Sequence, residues 1–154
     1  MVPATEVTAR AIEPQDHARW AELYGHYREF YRLQPDDAVI DRVWSWILDP
    51  SHEVKAFVAC IDDRVVGLAH YRRFSRPSSG TTGLFLDDLF TAADVRGQGV
   101  ARSLLAELSR LADQDSNSVV RWITAADNAT ARTLSDSAAA ATSWVTYDLA
   151  PGSL

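Results

Sequence analysis

The chain has 154 residues, 47% of them apolar and 23% charged, a composition that suits one ordinary globular domain and excludes a disordered chain. Its 15 basic and 21 acidic residues leave a formal charge of −6, which argues against a nucleic-acid-binding surface and suits a cationic small substrate. Cys60 is the sole cysteine, so no internal disulfide forms; it lies in the apolar run "VKAFVACI" and reads as buried filler in a reducing compartment. No apolar run approaches the roughly 20 residues of a membrane span, and the N-terminus lacks a secretory pattern, so a cytoplasmic protein is expected.

"VTARAI" (Val7 to Ile12) alternates as a half-buried strand does. Pro14 opens a helix carrying Trp20, Leu23, Tyr24, Tyr27, Phe30 and Tyr31 at helical spacing. Pro35, Asp36 and Asp37 start a second helix, with Val39, Ile40, Val43, Trp44, Trp46 and Ile47 on its apolar side, and Pro50 stops it. "VKAFVACI" and "RVVGLAHYRRF" form a hairpin through the turn at Asp62 to Arg64. "SRPSSGTTG" (Ser75 to Gly83) reads as a flexible connector and "LFLDDLFT" (Leu84 to Thr91) as a further strand. A glycine loop then leads into a helix with Val100, Leu104, Leu105, Leu108 and Leu111 on one face. "SVVRWIT" is expected as a strand, "NATARTLSDSAAAA" as a helix and "SWVTYDL" as a closing strand. The order β-α-α-β-β-β-α-β-α-β predicts an α/β fold with a mixed, largely antiparallel sheet flanked by helices, one domain over 1–154.

The loop "DVRGQGVARSLLAEL" has a physical purpose. A helix N-terminus exposes unpaired N–H groups and a partial positive charge, which together hold phosphates. Gly97 and Gly99 let the backbone approach a ligand, and Arg96 and Arg102 add forked cationic donors. A P-loop is excluded, because no Lys followed by Ser or Thr comes after the glycines. The dinucleotide fingerprint is excluded because Arg102 occupies the place of its third small residue.

The strand "LFLDDLFT", the turn "AAD" and then Arg96-Gly97-Gln98-Gly99-Val100-Ala101 together resemble motif A of the GCN5-related N-acetyltransferases, Arg/Gln-x-x-Gly-x-Gly/Ala. "WITAADNATARTL" is similar to that family's next strand and helix, with Asn128, Ala131 and Leu134 on its pattern, so the likeness spans nearly the whole chain. The resemblance implies an acetyl-CoA enzyme. It implies that Leu89, Phe90 and Thr91 bind pantetheine through their backbone and that Arg96, Gly97, Gln98, Gly99, Val100, Ala101 and Arg102 hold the pyrophosphate. Asn128 either reaches the pantetheine or simply caps the helix it opens.

Amine acetylation needs an unprotonated nitrogen, and an alkyl ammonium with a pKa of about 10.4 has no lone pair at neutral pH. A carboxylate can collect that proton. Asp87 and Asp88 stand mid-strand, where Asp is disfavoured, and strand alternation predicts that they point to opposite faces. By resemblance Asp87 is the base, while Asp88 is either structural or a counter-ion for the amine. A bulge, or an ion pair with Arg72 or Arg73, is the alternative reading of the pair. Many family members place a Tyr after the Leu of the last helix to protonate the leaving thiolate; here Ser135 stands there, able to position a water, with Tyr147 or Tyr71 as substitute acids. That departure leaves two readings: an N-acetyltransferase acting on a primary amine of a small molecule or peptide, or a coenzyme A-binding regulatory domain.

The aromatic residues Tyr27, Phe30, Tyr31, Trp44 and Trp46 form either an acceptor pocket or core and dimer surface. Tyr27, Tyr31 and His70 are the expected substrate contacts, His70 alternatively serving a hydrogen bond within the strand. His17, His26 and His52 show no metal-ligand spacing, so no metal is expected. The resemblance and the apolar last strand together imply a homodimer.

Overall fold

The computed structural model describes residues 5–154, which fall into two compact units, the first ending at Ile123 and the second Thr124–Leu154. The first opens with strand β1 (Thr8–Ala11), a 3₁₀ turn (Pro14–Asp16) and helices α1 (His17–Phe30) and α2 (Asp37–Leu48). Asp36 caps α2 by accepting from the Val39 amide at 3.2 Å. Strands β2 (Lys55–Ile61), β3 (Arg64–Arg76) and β4 (Thr81–Thr91) follow, then a 3₁₀ turn (Ala93–Val95), helix α3 (Val100–Gln114) and β5 (Val120–Arg121). The sheet order is β1-β2-β3-β4-β5, antiparallel except for the β4–β5 pair. This is the mixed, largely antiparallel α/β arrangement expected from the sequence.

Alternation along β3 sorts the two layers. A side chain added at Gly67 would come within 2.5 Å of the Val100 side chain and 3.4 Å of Leu104, so that face meets α3. His70, three residues on, meets Trp20 and Tyr24 of α1 on the other face. The core between sheet and α1 is built on Trp20 and Leu23, both fully buried, and that beneath α3 on Leu104 and Leu108. Gly67 is thus the close approach that seats the start of α3 on the sheet, and with it the loop in front.

Three segments differ from expectation. The connector from Ser75 to Gly83 is no flexible loop: β3 and β4 pair out to Arg76 and Thr81, and Pro77 to Gly80 close a hairpin with Gly80 at φ 64°. The hydroxyls of Ser79, Thr81 and Ser118 bond to one another there, at 2.6 and 2.7 Å, which ties the hairpin end to the start of β5. The strand expected from Ser118 to Thr124 shrinks to Val120 and Arg121, paired with Leu84 and Phe85. Its ladder stops just short of an irregularity in β4, where a bulge bends the strand away from its neighbour.

The second unit holds α4 (Ala129–Ala138), and the closing strand "SWVTYDL" does not form. Trp144 and Tyr147 are 85% and 89% exposed. A β-rich sequence becomes a strand only with a ladder partner and a face to bury, and this segment has neither.

Candidate active site

The β3–β4 register slips once. His70 pairs with Asp88 and the next residue, Tyr71, with Leu86, so Asp87 is the extra residue of a β-bulge. A bulge turns consecutive side chains toward one side of the sheet. Asp88 therefore faces His70 while Asp87 faces Arg72, two residues further along the same face of β3. The expectation that alternation would send the carboxylates to opposite faces is overturned, because alternation assumes an unbroken ladder.

The two carboxylates live in different environments. Asp88 accepts from His70 Nδ1 at 2.8 Å and from the Tyr24 hydroxyl at 3.2 Å. Burial alone would raise its pKa, but the hydrogen bonds from His70 and Tyr24 outweigh it and hold the carboxyl below the usual range. Asp87 keeps 31% of its side-chain exposure and accepts from Arg72 Nε at 3.0 and 3.2 Å. Partial burial pushes its pKa up despite the Arg72 guanidinium, and the nearby charge of Asp88 adds to the rise. Asp87 is thus the more basic and more open of the pair, and Asp88 a satisfied anion.

His70 is not a substrate contact. It is 2% exposed, and its Nε2 accepts the Trp20 indole N–H at 2.9 Å while Nδ1 meets Asp88. An indole only donates, so Nε2 accepts and Nδ1–H donates to the carboxylate. Tyr27 stacks on Tyr24 with ring centroids 5.5 Å apart and meets Phe90 edge to face at 6.1 Å. Burial, together with the Asp88 charge, raises the Tyr24 and Tyr27 phenols well above their ordinary value, so both stay protonated donors. Tyr31, 45% exposed and 4.7 Å from Tyr27 between ring centroids, lies at the open end of this aromatic row. Of the expected substrate contacts, Tyr31 is open to solvent, Tyr27 partly so and His70 sealed.

The glycine loop has the expected geometry. Gly97 and Gly99 sit at φ 82° and 87°, a region that favours glycine, and a side chain built on either would meet nothing within 4 Å. Gly99 is the N-cap of α3, and the first helical bond runs from the Ser103 amide to the Gly99 carbonyl. The amides of Val100 and Ala101 therefore have no intrahelical acceptor, and no atom lies within 4 Å of a side chain built on either glycine: the loop fits a phosphate. Val100 is buried at the root of the helix, while Gln98 and Arg102 lie at the surface. Arg96 rests its guanidinium 5.6 Å from the Phe30 ring centroid and 5.8 Å from that of Phe90, which holds it beside the loop.

Leu89, Phe90 and Thr91 end β4 on the stretch past the bulge, where within the first unit no strand pairs with the edge turned away from β3. An edge of this kind exposes backbone donors and acceptors to an extended ligand. In the second unit Asn128 caps α4 by accepting from the Ala131 amide at 3.2 Å, and Ser135 lies on that helix, half-buried. Tyr147 is exposed in the irregular tail, and Tyr71, next to His70 on β3, points to the face opposite Asp87 with its phenol pushed by burial up to about 12. Neither the Trp20–His70–Asp88 relay nor the Gly67 seat was visible beforehand, since both join residues distant in sequence. Among the described residues no group of histidine, cysteine and carboxylates could hold a metal.

A family model described as the acetyltransferase (GNAT) family matches residues 20–135. The chain is 27% identical over 122 residues to a D-amino-acid N-acetyltransferase of Saccharomyces cerevisiae, covering 77% of this chain and 74% of that one. Its fold is similar to that of a ribosomal-protein-alanine N-acetyltransferase from Brucella melitensis biovar Abortus (TM-score 0.80, 24% identity, 96% and 100% of the two chains). An aminoglycoside N-acetyltransferase solved in complex with CoA is similar to the same degree (TM-score 0.79, 19% identity, 98% and 99%). The match runs through the whole glycine loop and the bulged strand before it, and so this chain belongs to the acetyltransferase (GNAT) family and is an acetyl-CoA-dependent N-acetyltransferase.

Proposed function

We propose that the chain acetylates the primary amine of a small molecule, with Asp87 receiving the proton of the attacking amine. The observation that carries this reading is the bulge, which turns two carboxylates of unequal basicity to one face of the sheet. A base must be free enough and basic enough to take a proton, and Asp87 meets both conditions better than Asp88. Asp88 is the fixed anion that orients Tyr24 beside the acceptor. Acetyl-CoA supplies the activated acetyl thioester. The amides from Gly97 to Arg102 would hold its pyrophosphate, Arg96 would add charge, and the edge at Leu89, Phe90 and Thr91 would bind the pantetheine.

In this reading both units act as one acetyltransferase domain, which the span of the family match supports. Asn128 would contribute through the amide nitrogen that its capping role leaves over, and Ser135 would position a water where the family carries a Tyr. The names of the relatives, which refer to D-amino acids, aminoglycosides and a ribosomal-protein alanine, support an amine acceptor. A cytoplasmic homodimer completes the reading; the exposed Trp144, Val145, Tyr147 and Leu149 offer a second copy an apolar surface. Light scattering at micromolar concentration is expected to give twice the chain mass, and a monomer would remove that part.

Thiol release from acetyl-CoA over a panel of amino acids, polyamines, aminoglycosides and basic peptides tests the central claim. Amine-dependent release that Asp87→Asn depresses is the expected result. Release absent with every amine, despite a thermal shift with acetyl-CoA, would leave a coenzyme A-binding domain instead.

A further inference from the structure

Beside Asp87 the sheet face carries two arginines. The Arg72 guanidinium stacks 4.9 Å from the Phe85 ring centroid, and Arg121 of β5 lies 5.5 Å from that of Phe74. Phe74 and Phe85 meet edge to face at 6.1 Å, so the two guanidiniums sit on one aromatic floor. Arg72 uses only its Nε toward Asp87; its two Nη nitrogens form no hydrogen bond among the described residues, and its side chain keeps 35% of its exposure. Arg121 likewise has no carboxylate partner among the described residues. The result is a guanidinium held in one plane by a ring and a carboxylate, with its end-on fork open, next to a second cation.

We propose that the acceptor is a zwitterion, an amino acid, whose carboxylate binds the Arg72 fork with help from Arg121 while its amine meets Asp87. This rests on the acetyl-transfer reading above and names the substrate class of that site. An α-amino acid carries amine and carboxylate on one carbon, and Arg72 and Asp87 are an acid–base pair already in hydrogen-bond contact, so the two pairs of charges match head to head. A simple polycation would meet the repulsion of Arg72 and Arg121, which tells against the cationic acceptor suggested by the net charge of the chain. Fixing the guanidinium beforehand also lowers the ordering cost of binding.

The test compares each amino acid with the amine left by removing its carboxylate: D- and L-phenylalanine against phenethylamine, and lysine against cadaverine. In the unaltered protein kcat/KM is expected to favour the amino acid by about tenfold or more, the order of one charge-assisted hydrogen bond. Arg72→Gln should collapse that ratio, mainly through KM of the amino acid, and Arg121→Gln should narrow it. Taking the ratio matters because unpairing Asp87 affects both acceptors of a pair alike. Thermal midpoints of both variants show that they fold. Equal or better turnover of the decarboxylated amines would overturn the proposal while leaving acetyl transfer intact. A preference that survives in the Arg72→Gln/Arg121→Gln double variant would overturn it too, by sending the carboxylate elsewhere. No acetylation of any amine would sink the reading beneath it and the proposal together.

Discussion

Asp87 and Asp88 are chemically identical neighbours, yet they face opposite fates. Asp88 lies on the closed side of the bulge, under α1, where the indole of Trp20 orders His70 and His70 orders the carboxylate. Asp87 lies on the open side, held by one arginine that rests on a phenylalanine. One residue of slippage in a ladder separates a structural anion from a usable base. The lesson is that hydrogen-bond supply, more than burial, decides what a carboxylate can do here: Asp88 is the more buried and still the less basic.

The comparison breaks most sharply in kinetics. Asp87→Asn is expected to lower kcat/KM by about 10²–10⁴-fold with little change in thermal midpoint, since general-base help is worth that much and the side chain is half open. A loss of that size from Asp88→Asn with none from Asp87→Asn would reverse the assignment. The acid limb of the pH profile should lie above the ordinary aspartate value of about 3.9, because the Asp87 pKa is raised. Arg72→Gln removes a lowering influence and should move that limb to still higher pH.

Next in size is the glycine loop. Gly99→Val should abolish the thermal shift given by acetyl-CoA, which at a hundredfold excess over Kd amounts to about 2.7 kcal/mol. The added side chain would strain a backbone at φ 87° and enter the space that phosphate needs. An undiminished shift would show that phosphate binds elsewhere.

Asp88→Asn should act on stability instead, costing about 2 kcal/mol at neutral pH, because charge-assisted bonds from His70 and Tyr24 are lost. The sign with pH follows from a lowered native pKa. The contribution of Asp88 is present above the unfolded value of about 3.9 and disappears as pH falls through the native one, so the two proteins should converge in acid. Chemical denaturation at pH 7 and pH 3 measures this, and a gap that does not narrow between the two would contradict it. The smallest effect is expected from Arg96→Ala, a weakening of acetyl-CoA binding of about tenfold or less, because the backbone amides remain. A complete loss would make Arg96, and not the helix end, the main phosphate contact.

The sequence by itself determined the element order as far as α4, the cap of α2 at Asp36, the hairpin at Asp62 and the glycine loop, because each is written in local chemistry: a cap, a turn residue, an apolar period; Pro14 opens a 3₁₀ turn, and α1 begins only at His17. It also singled out the two aspartates, since adjacent carboxylates inside an apolar strand call for a reason. Their roles were a tertiary matter. The bulge exists only in the register of β3 against β4, and the tautomer of His70 is set by an indole fifty residues away. The end of the chain shows the same limit from the other direction. "SWVTYDL" has every local mark of a strand, but a strand is a relation between two segments, and propensity in one of them cannot supply the ladder.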